Sequence, residues 1–155
     1  MPAEHAETPI PFPRVENLFL ADFAEAINGK LYAMGGGFSD LNAPAFPFSQ
    51  RVWLAAMLTI PWEHTNKRFP VSAHLEADGE PLEWRMAGEI EAGRPPGMRS
   101  GELRLSIAAP VDIANLPEPA NFELKFAFAN DLRTVAFRVV AMNIAMAAPP
   151  PPAAE

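Results

Sequence analysis

The chain has 155 residues, 49% of them hydrophobic and 20% charged, which suits one domain with a single sizeable core. Lys and Arg number 12 against 19 Asp and Glu, so the net charge is −7. That balance disfavours binding to nucleic-acid phosphates or to an anionic membrane. Cysteine is absent, which excludes disulfides, thiolate metal sites and cysteine nucleophiles.

The chain starts with a proline-punctuated stretch: Pro2, Pro9, Pro11 and Pro13 all precede Arg14. Residues 1–14 therefore read as an extended, Pro-rich tail. This stretch pairs acids with no Lys or Arg before Arg14, unlike a secretory signal, so cytoplasmic location is the expectation. The next signals are all β. Leu18 to Ala26 and Lys30 to Phe38 flank Asn28-Gly29, a dipeptide suited to a tight turn with positive φ at both central residues. Arg51 to Ile60 is almost uniformly apolar and predicts a central strand. Val71, Ala73 and Leu75 alternate with Ser72, His74 and Glu76 before a turn at Asp78-Gly79. Leu82, Trp84 and Met86 follow with the same period, and Leu103, Leu105 and Ile107 lie beyond a Gly- and Pro-rich loop at 93–101. Phe122, Leu124, Phe126 and Phe128 alternate with polar neighbours, and a turn at Asn130-Asp131 leads to Val135, Phe137 and Val139. The chain closes with a Pro- and Ala-rich tail, residues 143–155.

About eight strands, punctuated by turns and with no long amphipathic helix, predict an all-β fold, an antiparallel β-sandwich. The domain is expected to span residues 15–142, with Phe122, Leu124, Phe126, Val135, Phe137, Leu105 and Trp84 between the layers.

The order Leu20-Ala21-Asp22-Phe23-Ala24, Asn28-Gly29-Lys30-Leu31-Tyr32, Met34-Gly35-Gly36-Gly37-Phe38 resembles the opening hairpin of an uncharacterised bacterial family, catalogued only as a domain of unknown function. Ala43-Pro44-Ala45-Phe46-Pro47, Ala77-Asp78-Gly79 and Phe137-Arg138-Val139-Val140 match its later segments. The resemblance covers about residues 15–140. It implies a compact β-sandwich and no activity.

Catalytic chemistry is sparse in this sequence. Gly35-Gly36-Gly37 lacks the following Lys-Ser/Thr of a phosphate loop and reads as a bulge or a close strand approach. His74, Glu76 and Asp78 share one face of a strand and are the weak metal candidates, with His64 or Glu63 as a further ligand. A solvated strand face shows the same row, so the expectation is no metal and no cofactor. Phe46, Phe48 and Trp62 lie in loops, where exposed aromatics mark binding surfaces, although Phe46 and Phe48 could equally plug the end of the sandwich. Met142, Ile144 and Met146 follow the last strand as a second apolar segment suited to docking.

These observations lead to a non-enzymatic β-sandwich that works through protein contact, either by self-assembly or as an accessory subunit. Two alternatives stay open. One is a metal-dependent enzyme or hydrolase centred on His74, Glu76 and Asp78. The other is a small-ligand or glycan-binding module using the loop aromatics.

Overall fold

A computed structural model describes residues 11–143. Ten strands run in chain order: β1 (Arg14–Ala21), β2 (Phe23–Ile27), β3 (Lys30–Met34), β4 (Asp40–Ala43), β5 (Phe48–Pro61), β6 (Arg68–Ala77), β7 (Glu80–Glu91), β8 (Glu102–Leu116), β9 (Ala120–Phe128) and β10 (Asp131–Ala141). A single 3₁₀ turn at Trp62–His64 joins β5 to β6. Among the described residues no helix is long and apolar enough to cross a membrane.

The strands form a three-stranded sheet, β1-β5-β8, and a five-stranded sheet, β4-β10-β9-β6-β7. Hydrophobic side chains pack between them. β5 contributes Val52, Leu54, Ala56, Leu58 and Ile60, while β9 contributes Phe122, Leu124, Phe126 and Phe128. Alternation places each set on one face of its sheet, which is why the opposite residues of β9 are polar. The uniformly apolar β5 is central in its sheet, between β1 and β8. Of the side chains expected inside, Phe122, Leu124, Phe126 and Phe137 are buried, whereas Leu105, Trp84 and Val135 are partly buried against the core.

Three features depart from the sequence reading. There are ten strands rather than eight, because the stretch from Leu18 to Ala26 is divided at Asp22 and β4 is an additional short strand. β4 pairs in parallel with β10, Leu41 opposite Val139, so the larger sheet is mixed. Such a pairing needs no tight turn, and dipeptide signals therefore cannot reveal it. The β9–β10 turn uses Ala129 and Asn130, with Ala129 at φ 52°.

The two sheets are joined along both long sides by polar contacts. On one side the indole N–H of Trp84 on β7 donates to the carbonyl of Pro110 on β8 at 3.0 Å. On the other, β1 is the edge strand of its sheet and carries an irregularity between Val15 and Asn17. Asp131 Oδ2 accepts the Val15 N–H at 2.9 Å, and Arg133 Nη2 donates to the Val15 carbonyl at 3.3 Å. Burial pushes the Asp131 carboxyl up, but its hydrogen bonds to Arg133 and the Val15 amide prevail and hold it below its ordinary value. Asp131→Ala leaves the part-buried Val15 amide unpaired and should cost about 1–2 kcal/mol in urea unfolding. Asp112→Ala, which breaks an exposed pair with Arg51, should shift the unfolding midpoint far less.

Candidate functional site

β6 aligns Ser72, His74 and Glu76 on the outer face of the five-stranded sheet, opposite the buried Val71, Ala73 and Leu75. In the neighbouring strands, Arg85 and Lys125 flank His74, and Glu123 flanks Glu76. The Glu76 carboxylate takes a contact from each side, His74 Nε2 at 3.1 Å and Lys125 Nζ at 3.0 Å. The Lys125 hydrogen bond, followed by that of His74, holds the Glu76 carboxyl below its ordinary value, and Glu76 raises that of Lys125. The acid and base of this row therefore satisfy one another. A hollow of about 480 Å³ opens beside them, lined by Ser72, His74, Lys125, Leu132, Arg133 and Thr134.

The other metal candidates are placed apart from this pair. Asp78 has φ 49° in the β6–β7 turn, and its carboxylate accepts the Asn121 N–H at 3.1 Å. His64 stacks on Phe12, centroids 5.2 Å apart, and meets Phe69 edge-on at 5.8 Å. Its Nε2 is buried without a hydrogen-bond partner. Among the described residues, no three His, Asp or Glu side chains converge as a metal site would need.

The loop aromatics are engaged within the molecule. Phe48 is buried in the core, and Phe46 packs against it edge-on at 6.5 Å. Trp62 donates its indole N–H to the Met98 carbonyl at 2.9 Å, and the Arg94 guanidinium covers its ring at 4.1 Å. Arg94 is itself fixed by the Thr65 hydroxyl and the Asn66 side chain. Met142 is exposed and extends the β4–β10 pairing by one bond, its N–H donating to the Ala43 carbonyl. Ile144 and Met146 lie outside the described residues.

The most exposed apolar cluster lies elsewhere, on β2 and β3. These strands form a two-stranded sheet closed by Asn28 (φ 51°) and Gly29 (φ 72°). The sequence reading recognised this turn but left the flanking residues without an assigned role. After Ala21 the chain turns at Asp22 and carries the hairpin over the outer face of β5 and β8. Two glycines permit the return crossing. A side chain at Gly35 (φ 65°) would meet the Asp22 carboxylate, and one at Gly36 would lie 2.9 Å from the Phe19 ring. The close strand approach expected from the triple glycine is therefore present.

The arm packs on the body through one face. Ala24 is wholly buried, and Phe23 meets Trp53 edge-on at 5.2 Å. Leu31 is partly buried and the other strand residues are exposed. The outward face presents Phe23 (42% exposed), Ile27 (43%), Tyr32 (53%) and Met34 (69%). Glu25 and Lys30 are the charged members of that face. The signal in the sequence was an inverted alternation. Ala24, Ala26, Ala33 and the partly buried Leu31 occupy the face turned to the body, whereas Phe23, Ile27, Tyr32 and Met34 occupy the other.

The chain belongs to a family of unknown function, DUF6941. The family model matches residues 16–140. No curated protein matches the chain. Within the DUF6941 match lie both the arm and the Ser72, His74, Glu76 row, while Met142 falls just beyond it.

The polar row makes a testable contribution to acid stability. The Glu76 carboxyl titrates lower in the native state than the ordinary 4.5, so the unfolded chain takes up its proton first. Its stabilisation is complete above the unfolded value and is lost as pH falls through the lower native one. Urea unfolding followed from about pH 7 to pH 3 should show a shallower acid decline for Glu76→Gln than for the wild-type chain.

Proposed function

We propose that this DUF6941 domain is a non-catalytic module that works through protein contact, with the β2–β3 arm as its contact surface. The carrying observation is the outward apolar face of Phe23, Ile27, Tyr32 and Met34 on a hairpin laid over the body by its other face. Two physical arguments support the reading. A two-stranded hairpin is marginal in water on its own, and of its strand residues only Ala24 is fully buried against the body, with Leu31 partly so. The four side chains also expose on the order of 400 Å² of largely apolar surface, the size at which a patch on a soluble chain marks an interaction site. The net charge of −7 favours a protein surface over a phosphate-rich one.

The test places a photo-crosslinking amino acid at Tyr32 of the full chain, expressed in cells, with the same probe at the exposed Glu118 as reference. A discrete protein adduct is expected from Tyr32 and not from Glu118. Ile27→Ser with Met34→Ser should abolish that adduct while changing unfolding free energy by less than about 0.5 kcal/mol each, as exposed positions do. Equal adducts from both positions, or none from Tyr32, would refute the contact role of the arm.

A further inference from the structure

We propose that the partner of the arm is a second copy of this chain, seated on it about a two-fold axis so that the two outward faces meet. The inference rests on the contact role given to the arm above and adds the identity of the occupant.

The charge pattern on the arm is self-complementary. Glu25 lies opposite Tyr32, and Ile27 lies opposite Lys30, in consecutive positions of the same face. These four side chains form a rectangle with the charges on one diagonal and the apolar groups on the other. A two-fold axis in the contact plane, running close to the Ile27–Tyr32 diagonal, brings Glu25 of one copy over Lys30 of the other and the reverse. Tyr32 then meets its own equivalent, as does Ile27. An isologous interface requires this property, that a patch complement itself. The outward face carries one acid and one base, so it is locally neutral in a chain of net charge −7. Two such chains repel everywhere except at a surface of this kind.

The contact area fits the same partner. Each arm contributes on the order of 400 Å² from its four large side chains. The exposed Glu25 and Lys30 and the partly exposed Trp53 extend it, so a pair of copies buries on the order of 1,000 Å², the size of a weak, reversible interface. Screening of the overall repulsion makes the association tighter in higher salt.

The long sheet edge on β8 is less suited to a second copy. Pro110 removes an amide donor midway along that strand, and the Trp84 indole occupies the Pro110 carbonyl. Strand addition there is blunted.

Sedimentation of the purified full chain tests the proposal. The wild type is expected to dimerise reversibly, more tightly in higher salt. Glu25→Lys alone and Lys30→Glu alone should each weaken association by about tenfold or more, since like charges then face each other across the axis. An equimolar mixture of the two variants should recover it, because one copy carries two bases and the other two acids on the facing diagonals. Contacts within a single arm cannot be rescued by mixing. At concentrations too low for the dimer to form, thermal melts of both variants should match the wild type.

A wild type that stays monomeric into the high micromolar range would overturn the proposal, as would single variants that dimerise normally or a mixture that does not recover. These outcomes separate the two readings. A monomeric wild type with a Tyr32 adduct to a different protein removes the self-partner and leaves the contact role standing. Absence of any Tyr32 adduct removes both.

Discussion

The structure is arranged around one strand with much of both its faces kept from water. β5 sends Val52, Leu54, Ala56, Leu58 and Ile60 into the sandwich, as a central strand should. On its other face Ala55, Thr59 and Pro61 are also buried and Trp53 and Met57 are half-buried, with Arg51 exposed. A sheet in a two-layer sandwich normally leaves that face to solvent. Here separate devices cover it. At one end Arg14 reaches across β5 to Glu102 at 2.9 and 3.1 Å, in the row that pairs Arg14 with Thr59. Towards the other end the arm crosses, burying Ala24 while Phe23 meets Trp53. The bend at Asp22, the glycines at 35 and 36 and the inward alanines all follow from the need to lay a hairpin over this strand.

That need also explains which parts of the fold were legible in sequence. Phe122, Leu124, Phe126 and Phe128 alternate cleanly because β9 has one wet face and one dry face, so period alone places them. Asn28-Gly29 and Asp78-Gly79 give their turns away because only a few residue types tolerate positive φ. The unbroken apolar run in β5 signalled a central strand but not what would cover its second face. The division between β1 and β2 was hidden for the same reason. Leu18 to Ala26 has no Pro or Gly, and the bend at Asp22 is set by tertiary packing rather than by local conformational preference. β4 was hidden because its parallel partner lies almost a hundred residues away, where no turn chemistry can announce it.

The candidate site was legible in a different and weaker way. His74 and Glu76 do share a face, and the strand brings them within hydrogen-bonding distance. Alternation could not show that Lys125, from a strand distant in sequence, would take the second carboxylate oxygen. Once it does, the carboxylate is a bridge between Lys125 and His74 rather than an open ligand or base. Phe46, Phe48 and Trp62 show the corresponding ambiguity for aromatics. In a sequence, a loop aromatic that plugs an end looks the same as one that meets a partner. In the structure the Arg94 guanidinium covers the Trp62 ring, and Phe48 is buried.

The arm draws these points together, because its two faces solve different problems with one short sequence. The body-facing side must approach an already formed sheet closely, and alanine suits that at little entropic cost. With the small residues committed inward, a period-2 strand can place its large ones only outward. A polar outward set would have served if covering β5 were the arm's sole purpose, since Glu25 and Lys30 occupy the same face without disturbing the register. Phe23, Ile27, Tyr32 and Met34 instead leave apolar surface in water. That surface gives no benefit to the isolated domain, and burial against another surface is the circumstance in which it stabilises anything. The covering of β5 fixes where the arm lies, and the choice of side chains on its far face is what the proposed contact role rests on.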